Sequence, residues 1–283
     1  MLYGGIRGFF LNIIGITLQS SHMKSFTLRL LFATFLLMPA MSNLAQSWEQ
    51  VGNKGDWKKT VDVIAMNGYL YSIERDGTLF KTDKDGVFTQ IGDKGLFKNA
   101  RFLVGLNNEI WTIEEGTLYR YSESSGNWQQ VGLAGEYKNT IAVTSLNGKL
   151  YSVEKDGTLY ETSVDGTWRQ IGDEGEFSNL KHLDAMGGHL WTVEAGTLYK
   201  TSVKAEAWQQ VGQGGEWSKA IAMTAGDGCL WSIEKNGTLY KTDASGKYEQ
   251  VGDKGEMKNV GLIVAMDGWF YCVENGTLFR TKG

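Results

Sequence analysis

The chain has 283 residues, of which one is proline and 37 are glycine, and its 28 basic residues face 32 acidic residues. Scarce proline with abundant glycine is typical of many short strands joined by glycine turns, and it excludes a disordered chain. The net charge of −4 argues against nucleic acids and anionic membrane surfaces as partners, because both of them attract basic proteins.

The first 45 residues differ in charge from the rest of the chain. They contain three basic residues and no acidic one, and removing them leaves 25 basic against 32 acidic residues. Met23 to Arg29 is typical of a charged n-region, and Leu30 to Met38 of an apolar h-region that is too short to span a bilayer. We therefore expect residues 1–45 to be a signal-peptide region and the mature protein to be secreted or periplasmic.

The cleavage site and the start are less closely defined. Ala40-Met41-Ser42 fits a small-x-small cleavage site, and Ala45-Gln46 is a second candidate. Met23 is a candidate for the true initiator, in which case residues 1–22 are an over-long start. An uncleaved anchor is the alternative. Once the signal is removed, we expect no insertion into a membrane.

From residue 46 onward the chain repeats every forty residues. Each copy opens with the phrase aromatic-x-Gln-(Val/Ile)-Gly. A fixed period of this size indicates an array of one supersecondary unit. The six opening aromatic residues are Trp48, Phe88, Trp128, Trp168, Trp208 and Tyr248.

One repeat contains four predicted strands. In residues 48–87 a short strand at Trp48 precedes a glycine loop, and a second strand then leads to Asn67-Gly68, a strong hairpin signal. Arg75-Asp76-Gly77 separates the third strand from the fourth. Four strands joined by tight turns in about forty residues are the plan of a propeller blade.

The phase of the array predicts how a ring would close. The last copy ends at its fourth-type segment, Gly276 to Arg280, and no aromatic-x-Gln phrase follows it. We expect Trp48–Val51 to return as the outer strand of the last blade. The sequence thus predicts an all-β, six-bladed β-propeller formed by residues 46–283 as a single domain, and truncation before Gly52 is expected to destabilise all of it.

The copies also alternate. Copies one, three and five carry a longer turn, as in Glu154-Lys155-Asp156-Gly157, whereas copies two, four and six carry a shorter one, as in Glu194-Ala195-Gly196. This pattern indicates a two-blade unit repeated three times, which favours an even number of blades.

The repeats resemble the tachylectin and tectonin family of propeller lectins. The resemblance covers residues 48–283 and is carried by the opening phrase, by the loop Gly215-Glu216-Trp217, and by Leu-Tyr-Ser-Val-Glu-Lys-Asp-Gly-Thr-Leu-Tyr at 150–160. The period of forty differs from the longer repeat of the five-bladed tachylectin type and is closer to six-bladed relatives. The resemblance implies a non-catalytic, sugar-binding propeller.

The glycine loop is the candidate binding site. It combines a glycine, an acid, an aromatic ring and an amide within five residues. Neutral sugars are held by ring stacking and by short polar groups, and glycine lets a backbone approach closely. The alternative is that the ring only plugs the blade edge. The candidate residues are Gly55, Asp56, Trp57, Gly95, Phe97, Asn99, Gly135, Glu136, Tyr137, Asn139, Gly175, Glu176, Phe177, Asn179, Gly215, Glu216, Trp217, Gly255, Glu256 and Asn259.

Three consequences follow if the loops bind sugar. We expect near-identical, solvent-exposed pockets on the rim, whose multivalency gives avidity on a repetitive glycan. The copy with Met257 in place of a ring is expected to be the weakest. Alanine at Trp57 or Trp217 is expected to weaken binding with almost no change in melting temperature.

Other repeated residues are interpreted as structural. The six glutamates that end the third strands are expected to accept hydrogen bonds from the following turn or its threonine. Aromatic residues of the third and fourth strands are expected to fill the space between blades. The glutamates are Glu74, Glu114, Glu154, Glu194, Glu234 and Glu274.

Catalysis is not expected, because repeated residues do not place dissimilar groups at one point. One constellation is an exception: His182 and Asp184 share a face of a predicted channel-lining strand, and His189 starts the next strand. One histidine and one aspartate fall short of a metal site. We expect no catalytic residues, metal or cofactor.

The sequence therefore predicts a multivalent carbohydrate-binding protein. Its partners would be glycans, N-acetylated or from bacterial or cell-surface polysaccharide, and not nucleic acid. The alternative is a protein-binding or adhesive scaffold without sugar sites. An enzyme with a site in the central channel is the third hypothesis.

Overall fold

The computed structural model describes residues 47–202 and 207–282, which form six four-stranded antiparallel sheets arranged as the blades of a β-propeller. The predicted fold class is confirmed. The predicted signal-peptide region lies outside the described residues. Among the described residues, no helix is long and apolar enough to cross a membrane.

Strands are numbered β1–β24 along the chain, and each blade is numbered by its innermost strand. The innermost strands of blades 1–6 are β2 (Thr60–Met66), β6 (Ala100–Leu106), β10 (Thr140–Leu146), β14 (Leu180–Met186), β18 (Ala220–Gly226) and β22 (Val260–Met266). The second strands are β3 (Tyr69–Glu74), β7 (Glu109–Glu114), β11 (Lys149–Glu154), β15 (His189–Glu194), β19 (Cys229–Glu234) and β23 (Trp269–Glu274).

The outer half of each blade consists of two further strands. The third strands are β4 (Leu79–Thr82), β8 (Thr117–Ser122), β12 (Leu159–Thr162), β16 (Thr197–Thr201), β20 (Leu239–Thr242) and β24 (Thr277–Lys282). The outermost strands are β5 (Phe88–Ile91), β9 (Asn127–Val131), β13 (Trp168–Ile171), β17 (Gln209–Val211), β21 (Tyr248–Val251) and, for blade 6, β1 (Glu49–Val51).

The ring closes as the phase of the repeats predicts. β1 pairs antiparallel with β24, so that Glu49 lies opposite Arg280 and Val51 opposite Leu278. The side chains of Glu49 and Arg280 also form an ion pair, with Nε of the arginine 3.0 Å from the carboxylate. Because β1 completes the sheet of blade 6, this blade has four strands like the other five and the ring contains no incomplete blade.

Turn chemistry explains both the hairpins and the alternation. The hairpin between the two inner strands has positive φ at both turn residues, 54° at Asn67 and 74° at Gly68, and this is a backbone that asparagine and glycine tolerate. In the even blades the next hairpin is also this short, as at Ala195-Gly196. In the odd blades it is longer, and Thr78 N–H donates to Asp76 Oδ1 at 3.1 Å.

The core consists of layers between neighbouring blades. The second strands of the blades correspond to the third strands of the sequence repeats. As expected, their rings fill these layers, with Trp111 and Tyr271 fully buried and Tyr71 and Tyr151 nearly so. The third strands of the blades correspond to the fourth strands of the sequence repeats. Their rings are only partly buried, contrary to the expectation that they belong to the core. These partly buried rings are Phe80, Tyr119, Tyr160, Tyr199, Tyr240 and Phe279.

Candidate functional site

The glycine loops join the outermost strand of one blade to the innermost strand of the next. All six loop glycines adopt positive φ, between 76° at Gly95 and Gly135 and 87° at Gly55. A backbone in this region is strained for residues with a Cβ atom. A Cβ on Gly135 or Gly215 would meet no atom within 4 Å, so these glycines are explained by φ rather than by close packing.

The loop acids hold the loop in shape. One carboxylate oxygen accepts the N–H of the residue three positions earlier in four of the loops, at distances between 2.8 and 3.2 Å. In two of these loops the other oxygen is bonded as well: Glu136 Oε1 accepts the ring N–H of Trp168 at 2.6 Å, and Glu216 Oε1 accepts the hydroxyl of Tyr248 at 3.1 Å. The four acids are Asp56, Glu136, Glu216 and Glu256.

The loop asparagines serve the end of the blade. Asn99 Nδ2 donates to Glu115 Oε1 at 2.6 Å. The backbone carbonyls of Asn139, Asn179 and Asn259 accept N–H groups from the turn between the second and third strands. All four residues are exposed, but these contacts stabilise the turn, so they give no sign of a ligand-binding role.

The loop rings themselves are buried, each less than 9% exposed. The expectation of six exposed and near-identical pockets is therefore wrong. Alanine at Trp57 or Trp217 would leave an internal cavity, and we no longer expect an unchanged melting temperature. The buried residues at this position are Trp57, Phe97, Tyr137, Phe177, Trp217 and Met257.

The even blades have a filled inter-blade space. In blade 2 the outer ring of Trp128 packs edge-on against Phe97, with ring centroids 4.1 Å apart, and stacks on Tyr121 at 4.8 Å. In blade 4 Trp208 packs against Phe177 at 4.9 Å. These contacts cover Phe97 and Phe177, which are both 3% exposed, so the expectation that these two rings lie at the surface is wrong.

The odd blades keep the outer ring at the surface. Phe88 and Trp168 are both 52% exposed and Tyr248 is 47% exposed. Each lies edge-on to the third-strand ring of its own blade; the Tyr240 and Tyr248 centroids, for example, are 5.8 Å apart at 80°. The inter-blade space beneath is therefore not closed by the outer ring.

Two equivalent cavities result, one in blade 5 and one in blade 1. The blade 5 cavity, with a volume of about 80 Å³, is lined by Glu216, Trp217, Ala220, Ser232, Glu234, Tyr240, Thr242 and Tyr248. The blade 1 cavity, of about 70 Å³, is lined by Asp56, Trp57, Thr60, Ser72, Glu74, Phe80, Thr82 and Phe88. We name them the blade 5 pocket and the blade 1 pocket.

Blade 3 differs from its odd neighbours at the loop ring. Tyr137 replaces the tryptophan of the other two loops, and its hydroxyl donates to Thr162 Oγ1 at 3.2 Å. The matching Thr242 in blade 5 is fully buried, and its hydroxyl has no hydrogen-bond partner. The phenol of Tyr137 thus satisfies a group that the blade 5 pocket leaves unsatisfied.

The strand-end glutamates follow the same alternation. In even blades they accept backbone N–H groups, but the donors belong to the glycine loop and not to the turn that follows the glutamate. Asn179 N donates to Glu194 at 2.8 Å and Lys258 N to Glu274 at 2.9 Å. In the odd blades, the carboxylates of Glu74 and Glu234 accept no hydrogen bond from any residue that the structure describes, and both line the pockets.

The central channel holds the unique polar residues. Its cavity, of about 460 Å³, is lined among others by Asp62, His182 and Asp184. Asp184 accepts N–H groups from Ala185 at 2.8 Å and, in the next blade, from Ala225 at 2.6 Å. Burial raises the pKa of Asp184 to about 6, against the effect of these hydrogen bonds.

The histidines do not assemble a centre with Asp184. His182 Nε2 is buried without a partner, and burial lowers the pKa of this ring. In the strand register His182 lies opposite Val193 while His189 lies opposite Met186, so the two histidines are at different ends of the hairpin. Within the described ranges no group of three or more histidine, cysteine and acidic side chains is arranged to hold a metal ion.

No protein-family model matches the chain, and no curated protein matches it either. Solved structures with similar folds include a protein of unknown function from Bacteroides thetaiotaomicron, at 14% identity and TM-score 0.66 over 84% of this chain and 76% of that one. A calcium-binding regucalcin from Agrobacterium tumefaciens has 10% identity and TM-score 0.62, over 83% and 94% of the two chains. Virginiamycin B lyase from Staphylococcus aureus has 13% identity and TM-score 0.56, over 83% and 84%. At these identities the similarity shows the propeller fold alone.

Proposed function

We propose that the protein is a non-catalytic carbohydrate-binding propeller, and that its sugar sites are the blade 1 and blade 5 pockets. The observation that carries the proposal is the recurrence of one cavity at equivalent positions of two blades. In each, three aromatic rings and a threonine line the same space as two carboxylates. Rings bind the apolar face of a sugar, and the polar groups bind its substituents.

Rigid placement of two pockets on one ring supports a multivalent role. A cavity of about 80 Å³ encloses part of one sugar residue only, and a single shallow site binds weakly. Two such sites on one scaffold bind a repetitive glycan with higher avidity. Secretion, which the first 45 residues favour, would bring the protein to surface polysaccharides.

The experiment is a glycan array with the purified protein and four variants. Phe88→Ala and Tyr248→Ala each remove an exposed pocket wall, and the combined variant is expected to lose binding to the glycans that the wild type retains. Val87→Ala is the matched control, because Val87 is 65% exposed, adjoins Phe88 and does not line the pocket. A wild-type protein that is folded and binds no glycan would refute the proposal.

A protein-binding scaffold is the second candidate, and one feature favours it. The second residue of the innermost strand is an exposed aliphatic side chain in all three odd blades: Val61 at 37%, Ile141 at 39% and Ile221 at 43%. Equivalent positions of the innermost strands lie at the same end of the central channel, so these three side chains surround the same opening of the channel. A triple serine variant that abolished capture of a partner protein while glycan binding persisted would support this function.

A further inference from the structure

The two pockets have a composition that neutral sugars do not require. In blade 5 the aromatic residues Trp217, Tyr240 and Tyr248 line the same cavity as the acidic residues Glu216 and Glu234. In blade 1 the set recurs in type, with three rings and two acids. Three rings with two negative charges are the groups that surround an organic cation, since ring faces attract positive charge.

The charge in the blade 5 pocket is not neutralised by the protein. Glu216 accepts the Gln213 N–H at 2.8 Å and the Tyr248 hydroxyl at 3.1 Å, both of which are uncharged donors. Glu234 has no hydrogen-bond donor among the residues that the structure describes. A carboxylate that is partly removed from water without a countercharge is unfavourable, and a cationic ligand relieves that cost.

The blade 1 pocket has a similar excess of negative charge. Burial, together with the nearby charge of Asp76, raises the pKa of Glu74, which marks a carboxylate short of positive partners. Lys59 and Lys94 act in the opposite direction from outside the pocket. The positive charges of these two lysines would weaken the attraction of the blade 1 pocket for a cation.

A second, independent observation lies at the inner wall. Thr242 is fully buried, lines the blade 5 pocket, and has a hydroxyl without any partner. Leaving such a hydroxyl unpaired is costly unless a ligand supplies the bond. In blade 3 the Tyr137 phenol supplies it to Thr162. The natural difference between Trp217 and Tyr137 therefore separates an open pocket from a satisfied one.

We propose that the blade 5 and blade 1 pockets bind the protonated amine of an amino sugar, and that blade 3 does not. An ammonium group has three donors and no acceptor, which matches the unpaired Glu234 carboxylate and the Thr242 hydroxyl. The ring faces contact the cation and the apolar face of the sugar. This inference rests on the proposed function, which supplies the sugar, and adds the charge of the group that is recognised.

The test is calorimetric titration of the purified protein with glucosamine trimer and with N-acetylglucosamine trimer. The free-amine trimer is expected to bind at least about tenfold more tightly, with two sites per chain. Tighter or equal binding of the acetylated trimer would overturn this inference and leave the proposed function standing. Binding of neither trimer, with array glycans still bound, overturns the inference alone; absence of all glycan binding overturns both.

Two substitutions localise the effect. Glu234→Gln removes the charge without breaking a hydrogen bond of the fold, and should abolish the preference for the free amine at blade 5. Glu194→Gln is the matched control in an even blade and should leave binding unchanged. Trp217→Tyr, which copies blade 3, should remove one site from the stoichiometry. An amine preference retained at both sites in Glu234→Gln, together with two sites retained in Trp217→Tyr, would overturn the inference.

Discussion

The odd and even blades have one backbone plan and different outer rims. In even blades an outer tryptophan packs into the inter-blade space, as Trp128 does against Phe97. In odd blades the equivalent ring stays at the surface, as Trp168 does, and in blades 1 and 5 a cavity lies beneath it. Even blades thus fill with a ring the inter-blade space that blades 1 and 5 leave as a cavity.

The comparison is tested most strongly by the outer tryptophans. Trp128→Ala removes two ring contacts and should destabilise the protein by about 2–3 kcal/mol. Trp168→Ala, in which the ring is half exposed, should cost less than about 1 kcal/mol. Chemical denaturation measures both free energies of unfolding. Equal losses would show that the two kinds of rim do not differ in their contribution to stability.

A smaller effect is expected at the threonines that follow the second hairpin. Thr197 Oγ1 in an even blade accepts the Gly215 N–H at 3.0 Å, whereas Thr238 Oγ1 in an odd blade is buried without a partner. Thr197→Val leaves an N–H unpaired and should cost about 1–2 kcal/mol. Thr238→Val removes an unsatisfied hydroxyl and should be neutral or stabilising. Thermal unfolding of the two isosteric variants decides between these outcomes, and a larger loss for Thr238→Val would contradict the assignment.

The smallest difference between odd and even blades is expected near the axis of the propeller, where both kinds of blade should behave alike. Asp62 in an odd blade and Asp184 in an even blade each accept an N–H group from the next blade, and burial raises the pKa of both to about 6. Because the folded pKa exceeds the unfolded value of 3.8, the contribution of each group is fully present below pH 3.8 and is lost as the pH rises through about 6.

Stability measured across pH 4–6 should therefore fall with rising pH, by a similar slope for each group. Asn at either position should remove its share of that slope, whatever it does to stability at a fixed pH. Unfolding curves at several pH values provide the measurement. A slope that disappears with Asp62→Asn and is untouched by Asp184→Asn would mean that odd and even blades differ at the channel too.

The fold could be predicted from the sequence because its signals are local and repeated. Asn67-Gly68 specifies a two-residue hairpin by its backbone preference, and the forty-residue period repeats that information six times. Ring closure could also be predicted from the sequence. The strand at Trp48 precedes the first blade and the last blade lacks an outermost strand, so these two pair.

The site could be predicted only in part. Gly215-Glu216-Trp217 was found because the loop combines the right chemical groups, and Trp217 does line a pocket. Tyr240 and Tyr248 line the same pocket but were not among the candidate residues, and Tyr240 was interpreted as core because a ring on a strand usually is. Their exposure depends on whether the outer ring packs inward, and this is determined by tertiary packing and not by the local sequence. The alternation of turn length was the one signal that could have marked odd blades as different.

The pairing of β1 with β24 has a consequence for how the polypeptide is made. Glu49 and Arg280 bond across 231 positions, so a ribosome has released β1 long before β24 emerges. Until then the first strand has no hydrogen-bonding neighbour, and a nascent chain offers an unpaired strand together with unfinished inter-blade layers. The last blade, and with it the ring, is therefore completed only after β24 has been synthesised.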